Sequence, residues 1–192
     1  MRTIWHWERL EYGAAQSRRF AAIKGRLRRY DAGLLCAVDG GRLLGFADVV
    51  PLAPSPYAAL RKGRVVEERI PARWLHRRST GAASCWYIGS LIVARSIRSS
   101  HPDLAHDIST RLQRAIWSFI AARGRSPFRV LGISATAAGQ AKFRQTGFRP
   151  VDPAVDAVDV RPRFEQIFPR RAQLIARAAE HPLQARRSGP SA

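Results

Sequence analysis

The sequence predicts an α/β fold, and three stretches carry that reading. Tyr87 to Val93 is a near-unbroken run of apolar and small residues, too short for a helix and suited to a strand buried on both faces. Leu104, Ile108, Leu112, Ala115, Ile116, Phe119 and Ile120 then recur at the three-and-four spacing of one helix face. Upstream, the apolar runs Gly33 to Val38 and Arg42 to Val50 flank Asp39-Gly40-Gly41, where Asp-Gly supplies the positive φ angles of a tight hairpin.

The remaining elements follow in order. Thr3 to Trp7 reads as a short first strand, with Trp5 and Trp7 on one face. Glu8 to Tyr30 reads as helix, with Leu10, Ala14, Phe20, Ile23 and Leu27 inward and a basic patch from Arg18 to Arg29 outside. Pro51 to Ala83 is a basic, proline-containing insertion, with helical turns expected near Tyr57–Lys62 and Pro71–His76. Phe128 to Ser134 is a third apolar run, entered through Gly124-Arg125-Ser126-Pro127. A short helix, Ala137 to Gln145, ends at Gly147 as C-cap, so that Phe148 to Val151 can begin a strand. Beyond Asp152 the pattern is loose, Phe168 to Glu180 looks helical, and the rest is a Pro, Gly, Ser and Arg tail expected to be disordered. This organisation predicts one domain over residues 1–160 with an insertion at 51–83, a basic helical extension at 161–181 and a tail at 182–192.

Charge is the strongest compositional signal. The 192 residues hold 33 Lys plus Arg against 14 Asp plus Glu, a net charge of +19. Such a field attracts polyanions, so nucleic acid, an anionic membrane surface or a phosphorylated ligand are the partners to consider. All but Lys24, Lys62 and Lys142 of those cations are arginines, a choice that codon bias can also produce; the net charge is not open to that explanation. No apolar run approaches the ~20 residues of a membrane span, and the opening residues lack a signal-peptide pattern, so a cytoplasmic protein is expected. Cys36 and Cys85 lie inside apolar runs and read as buried thiols. His76, His101 and His106 make no ligand cluster, and no metal is expected.

Between the central strand and the long helix, Ala94 to Pro102 is polar and basic. Arg95, Arg98, Ser99 and Ser100 stand just ahead of a helix N-terminus, where free N–H groups and the helix dipole favour an anion. That points to a phosphate site. An ordinary strand-to-helix loop in so basic a chain would read the same way.

The order of elements, with the texts YIGSLIV and ISATAAGQAKFRQTGFRPV, resembles the GNAT superfamily of acyl-CoA-dependent N-acyltransferases over roughly Gly33 to Val151. The resemblance implies a mixed, mostly antiparallel central sheet flanked by helices. It further implies that the strand at Trp86–Val93 splays from its neighbour and pairs with the pantetheine arm of acetyl-CoA or another acyl-CoA. Leu91, Ile92 and Val93 would then line the thioester, and Arg98, Ser99 and Ser100 the phosphates. The family's signature, Arg or Gln, two residues, Gly, one residue, Gly or Ala, is degenerate here. The chain has Arg98-Ser99-Ser100-His101-Pro102-Asp103-Leu104-Ala105, without the glycines that let a backbone approach a pyrophosphate. The position of the family's frequent tyrosine acid is Arg144, able to bind phosphate but a poor proton donor, and a common asparagine is Ala137. Tyr87 is the acid or base left on the central strand, and Asp48 on the hairpin is the nearest carboxylate.

Two functions of different class follow. One is an N-acyltransferase acting on an amine, with an acidic macromolecule as acceptor given the basic exterior. The other is a catalytically degenerate member of the fold that holds nucleic acid or a partner protein through its arginines.

Overall fold

The computed structural model describes residues 2–16, 25, 33–76, 82–134 and 136–179. Its elements are α1 (Arg2–Gln16), β1 (Leu34–Asp39), β2 (Arg42–Leu52), α2 (Pro54–Arg61), β3 (Ala83–Val93), α3 (Arg95–Ser100), α4 (Pro102–Arg123), β4 (Gly124–Ile133), α5 (Ala137–Gln145), β5 (Arg149–Val151), β6 (Arg163–Phe168) and α6 (Arg171–Ala179), with 3-10 turns at Glu67–Arg69 and Ala72–Trp74. The described strands form one six-stranded sheet in the order β1-β2-β3-β4-β6-β5. Every neighbouring pair is antiparallel except β3 and β4, which run parallel because α4 carries the chain back between them. The fold is thus α/β with a mostly antiparallel sheet, as expected.

The hairpin forms where Asp39-Gly40-Gly41 predicts it, with Asp39 opposite Arg42 and φ of 52° and 78° at the two glycines. α4 lies on one face of the sheet, burying Ile108, Leu112, Ile116, Phe119 and Ile120 at the helical spacing read from the sequence. Trp86 of β3 meets Phe119 edge-on, ring centroids 5.9 Å apart, and Trp117 packs on both Phe148 and Phe168. On the same side α5 lays Phe143 over Phe164 in a near-parallel stack at 5.3 Å. That stack sits on Gly132, where an added Cβ would fall 2.1 Å from Phe143.

Four expectations are corrected. Thr3 to Trp7 is helical, within α1, because Ile4, Trp7 and Glu8 share a helical face that packs on Phe46 and Ile92; reading Trp5 and Trp7 as one side of a strand took the wrong period. Leu10 is exposed, not inward, and Gly13 interrupts the helix with φ of 74°. The basic patch from Arg18 to Arg29 lies outside the described residues except for position 25. Cys36 is exposed at the edge strand, and only Cys85 is a buried thiol. Arg163–Phe168, expected within a helical extension, is a strand that enters the sheet between β4 and β5.

The insertion supplies core as well as surface. Helical turns form near both expected places, and Tyr57, Leu60, Ile70 and Leu75 are buried on the face opposite α4. No helix among the described residues is long and apolar enough to cross a membrane.

Candidate functional site

β3 and β4 pair from Ala83 opposite Gly124 to Ile88 opposite Gly132, and there the pairing stops. β3 continues through Gly89, Ser90, Leu91 and Ile92 to Val93, bonded on its other side to β2 as far as Gly45. Backbone N–H and C=O groups along this stretch therefore face an opening between two parallel strands. Beside it the register slips: Asp48 is opposite Ser90 and Val49 opposite Ile88, which leaves Gly89 as the extra residue of a bulge. The bulge resets the alternation. Tyr87, opposite Val50, and Ser90, opposite Asp48, come to lie on one face although they are three residues apart.

α1 crosses that face. Ser90 Oγ donates to Glu8 Oε1 at 3.0 Å, and Glu8, Asp48 and Ser90 are all buried, at 1%, 6% and 4% exposure. The sequence-predicted pair Tyr87 and Asp48 is thus brought to one side of the sheet beside the opening, with Glu8 as a second carboxylate. Sequence reading missed Glu8 because its segment was divided between a strand and a helix. Its signal was an acid at helical spacing from Ile4, on a face otherwise apolar.

Leu91, Ile92 and Val93 lie on the open stretch of β3, with Ile92 and Val93 buried. The connection that follows is not a loop. It is α3, and Arg98, Ser99 and Ser100 sit on its last turn. Arg98 Nε donates to the Val93 carbonyl at 3.1 Å, and its guanidinium pairs with Glu11 of α1. α4 then begins with Pro102, which has no N–H to offer, and Asp103 places a negative charge in the first turn. Arg144 stands on α5, past the end of β4, with its guanidinium 5.4 Å from the Phe164 ring centroid. Among the described residues no group of His, Cys, Asp and Glu is arranged to hold a metal ion.

A charged network lies behind Tyr87 on the same face. Arg163 is 1% exposed; its Nε donates to Leu60 O at 2.9 Å, Nη1 to Arg161 O at 2.6 Å, and Nη2 lies 3.0 Å from Asp159 Oδ2. Arg161 joins Asp159 to Glu68, with contacts of 2.9 Å and 2.7 Å. Glu165 accepts from Tyr57 Oη at 2.8 Å and from Arg61 Nε at 2.9 Å. Burial, then the Glu165 charge and that hydrogen bond, push the Tyr57 hydroxyl far up, so it stays a donor. Burial lowers the Arg163 guanidinium, partly offset by Asp159.

Burial alone would raise the Asp159 carboxyl, but hydrogen bonds from Arg161 and the charges of Arg161 and Arg163 outweigh it and leave it below the ordinary 3.8. The unfolded chain therefore takes up this proton first. The resulting stability is complete above pH 3.8 and is lost as pH falls through the lower folded value. In urea unfolding between pH 6 and pH 2.5, an Asp159→Asn variant is expected to be the less stable protein at pH 6 and to show a shallower acid decline. Parallel acid limbs would remove Asp159 from the acid response.

Among solved structures, the chain is similar to Ard1 from Thermoplasma volcanium, with a TM-score of 0.54 and 12% identity over 87% of this chain and 92% of that one. It is similar to the loading GNATL domain of CurA from Lyngbya majuscula, with a TM-score of 0.56 and 10% identity over 88% and 92% of the two chains. It is similar also to the GphF GNAT-like decarboxylase in complex with isobutyryl-CoA, with a TM-score of 0.53 and 14% identity over 86% and 93%. No protein-family model matches the sequence, and no curated protein sequence does. The sheet order, the parting of β3 from β4 and these likenesses together show that the chain has the GNAT fold, at low sequence identity to the structures that share it.

Proposed function

We propose that the chain is an acyl-CoA-dependent N-acyltransferase whose reaction takes place at the open edge of β3. The observation that carries this reading is the end of β3–β4 pairing at Ile88 and Gly132, beside a bulge, which leaves extended backbone able to bond an amide-bearing arm. One similar structure is a GNAT-like decarboxylase, so the fold does not by itself fix the reaction. The buried carboxylates favour amine acylation: Glu8 and Asp48 suit the approach of a cationic amine and the removal of its proton. The amine nitrogen attacks the thioester carbonyl, its proton passes to Glu8, the C–N bond forms and the C–S bond breaks. The oxygen charge is met by backbone N–H groups near Gly89. The departing thiolate takes a proton, for which Tyr87 is the donor on that face. Leu91 to Val93 flank the acyl arm, and Arg98, Ser99 and Ser100 the phosphates, with Arg144 as a further cation. The acceptor amine is carried on an acidic macromolecule, which the +19 charge suits.

Isothermal titration with acetyl-CoA and desulfo-CoA, at low and at moderate salt, tests this reading. One-site binding in the micromolar range that survives salt is expected. Binding that vanishes with salt would count for the second reading, a catalytically degenerate module. That reading has one specific support, the engagement of Arg98 by Val93 and Glu11 where a coenzyme phosphate would have to compete.

A further inference from the structure

We infer that the end of the sheet remote from the opening is a docking surface for nucleic acid, held through its phosphate backbone. At that end α4 passes into β4 and β6 passes into α6, because β4 and β6 are antiparallel with Phe128 opposite Phe168. This brings together Arg123 and Arg125, which flank Gly124, and Arg170 and Arg171 in the turn after β6; all four are exposed. Arg171 Nη2 donates to Gly124 O at 3.1 Å, which ties the two corners together, and Arg123 lies 4.3 Å from the Phe119 ring centroid. The cluster therefore has a fixed base.

The stretches of chain that carry the cluster supply no counterweight to its charge. The sequence contains no Asp or Glu between Asp107 and Asp152, nor between Glu165 and Glu180. Glu165 itself is buried and committed to Tyr57 and Arg61. So many arginines held near one another raise a positive potential that a row of phosphates relieves, with counterion release as the driving force. A folded protein partner fits less well, since protein interfaces centre on apolar and aromatic groups with charges at the rim. Of the exposed large apolar side chains, Ile167 and Ile175 stand singly on β6 and α6, and the others, Leu10, Val38, Leu104 and the Val155–Val160 segment, lie elsewhere.

Nor are these arginines part of a coenzyme site. β3 and β4 run parallel and part at their C-terminal ends, so Arg125 stands near the start of the strand whose far end borders the opening. At about 3.3 Å per residue, the seven steps from Arg125 to Gly132, where the pairing stops, amount to roughly 23 Å. The inference is thereby independent of acyl transfer.

The test is fluorescence anisotropy of a labelled 20-nucleotide single-stranded RNA over a series of salt concentrations. The variant carries Arg123→Gln, Arg125→Gln and Arg170→Gln, leaving Arg171 to hold Gly124. A control with the same charge change elsewhere carries Arg2→Gln, Arg42→Gln and Arg73→Gln, all exposed. With three phosphate contacts removed, the slope of log affinity against log salt should shrink by about 2, and affinity at moderate salt should fall at least tenfold, while the control changes little. Circular dichroism and a thermal melt establish that both variants are folded. Equal losses in the two variants would mean attraction to net charge alone and would overturn the assignment. Polyglutamate displacing the RNA as effectively as unlabelled RNA would replace nucleic acid by an acidic protein, and an unchanged slope in the first variant would remove the surface altogether.

Discussion

A Glu8→Gln variant should bind acetyl-CoA as the parent protein does and turn it over about 100-fold more slowly, the lower end of what a positioned general base contributes. The substitution is chosen to separate chemistry from architecture. Glutamine keeps the length of the side chain and an oxygen to accept the Ser90 hydroxyl, so α1 stays in place over Phe46 and Ile92. What it removes is a group that can accept a proton from the amine. Release of the coenzyme A thiol gives the rate, and the readout that a structural role would not move is the split between a lowered turnover and an unchanged coenzyme affinity. An Asp48→Asn variant measured in parallel discriminates between the two buried acids. Equal rates for Glu8→Gln and parent at all pH values, with coenzyme binding intact, would leave Glu8 as a clamp for the first helix and nothing more.

Replacing Arg163 by Ala should destabilise the protein by about 3–5 kcal/mol, the cost of breaking a buried charge pair from one side. The loss has three parts. Leu60 O and Arg161 O lose their donors, Asp159 keeps Arg161 but loses its second cation, and the space of a fully buried guanidinium is left behind. In a chain of this length such a loss lowers the thermal midpoint by roughly 10 °C. Arg163→Lys should fall between the two, since an ammonium keeps the charge but cannot reach two carbonyls and a carboxylate at once. Calorimetric scans of the three proteins decide the matter. A midpoint within about 2 °C of the parent for Arg163→Ala would mean that water replaces the guanidinium at little cost.

The sequence shows local features well and tertiary ones poorly, for reasons visible in particular residues. Asp39-Gly40-Gly41 forms its turn because the backbone requirement lies in those residues themselves. α4 forms where the spacing places it, since one face meets the apolar sheet, and α5 ends at Gly147 with Phe143 packed on Phe148 and Phe164. β6 was missed because Arg163-Phe164-Glu165-Gln166 alternates charge with an aromatic side chain, and only the partners from α2 and the Asp159 turn make two such charges buriable. α1 was misread because two tryptophans two residues apart imitate a strand face. In the candidate site, Tyr87, Asp48 and the Leu91–Val93 stretch could be picked out from the strands that carry them. Glu8 could not, because it reaches Ser90 across 82 residues of chain. Arg98 was legible as a cation at the right place; its engagement with Glu11 was not, since that depends on where α1 lies.

The position of β6 also sets an order on how the chain can be assembled. β5 bonds to β6 and to no other described strand, and β4 has β6 as its second neighbour. During synthesis the chain emerges with β1 to β4 first, so the outer edge of β4 and all of β5 wait, unbonded, for residues that are made later. Until Phe168 has left the ribosome, the nascent sheet ends in an exposed apolar strand carrying Phe128, Val130 and Leu131, the kind of edge that pairs with a neighbouring chain when its own partner is late.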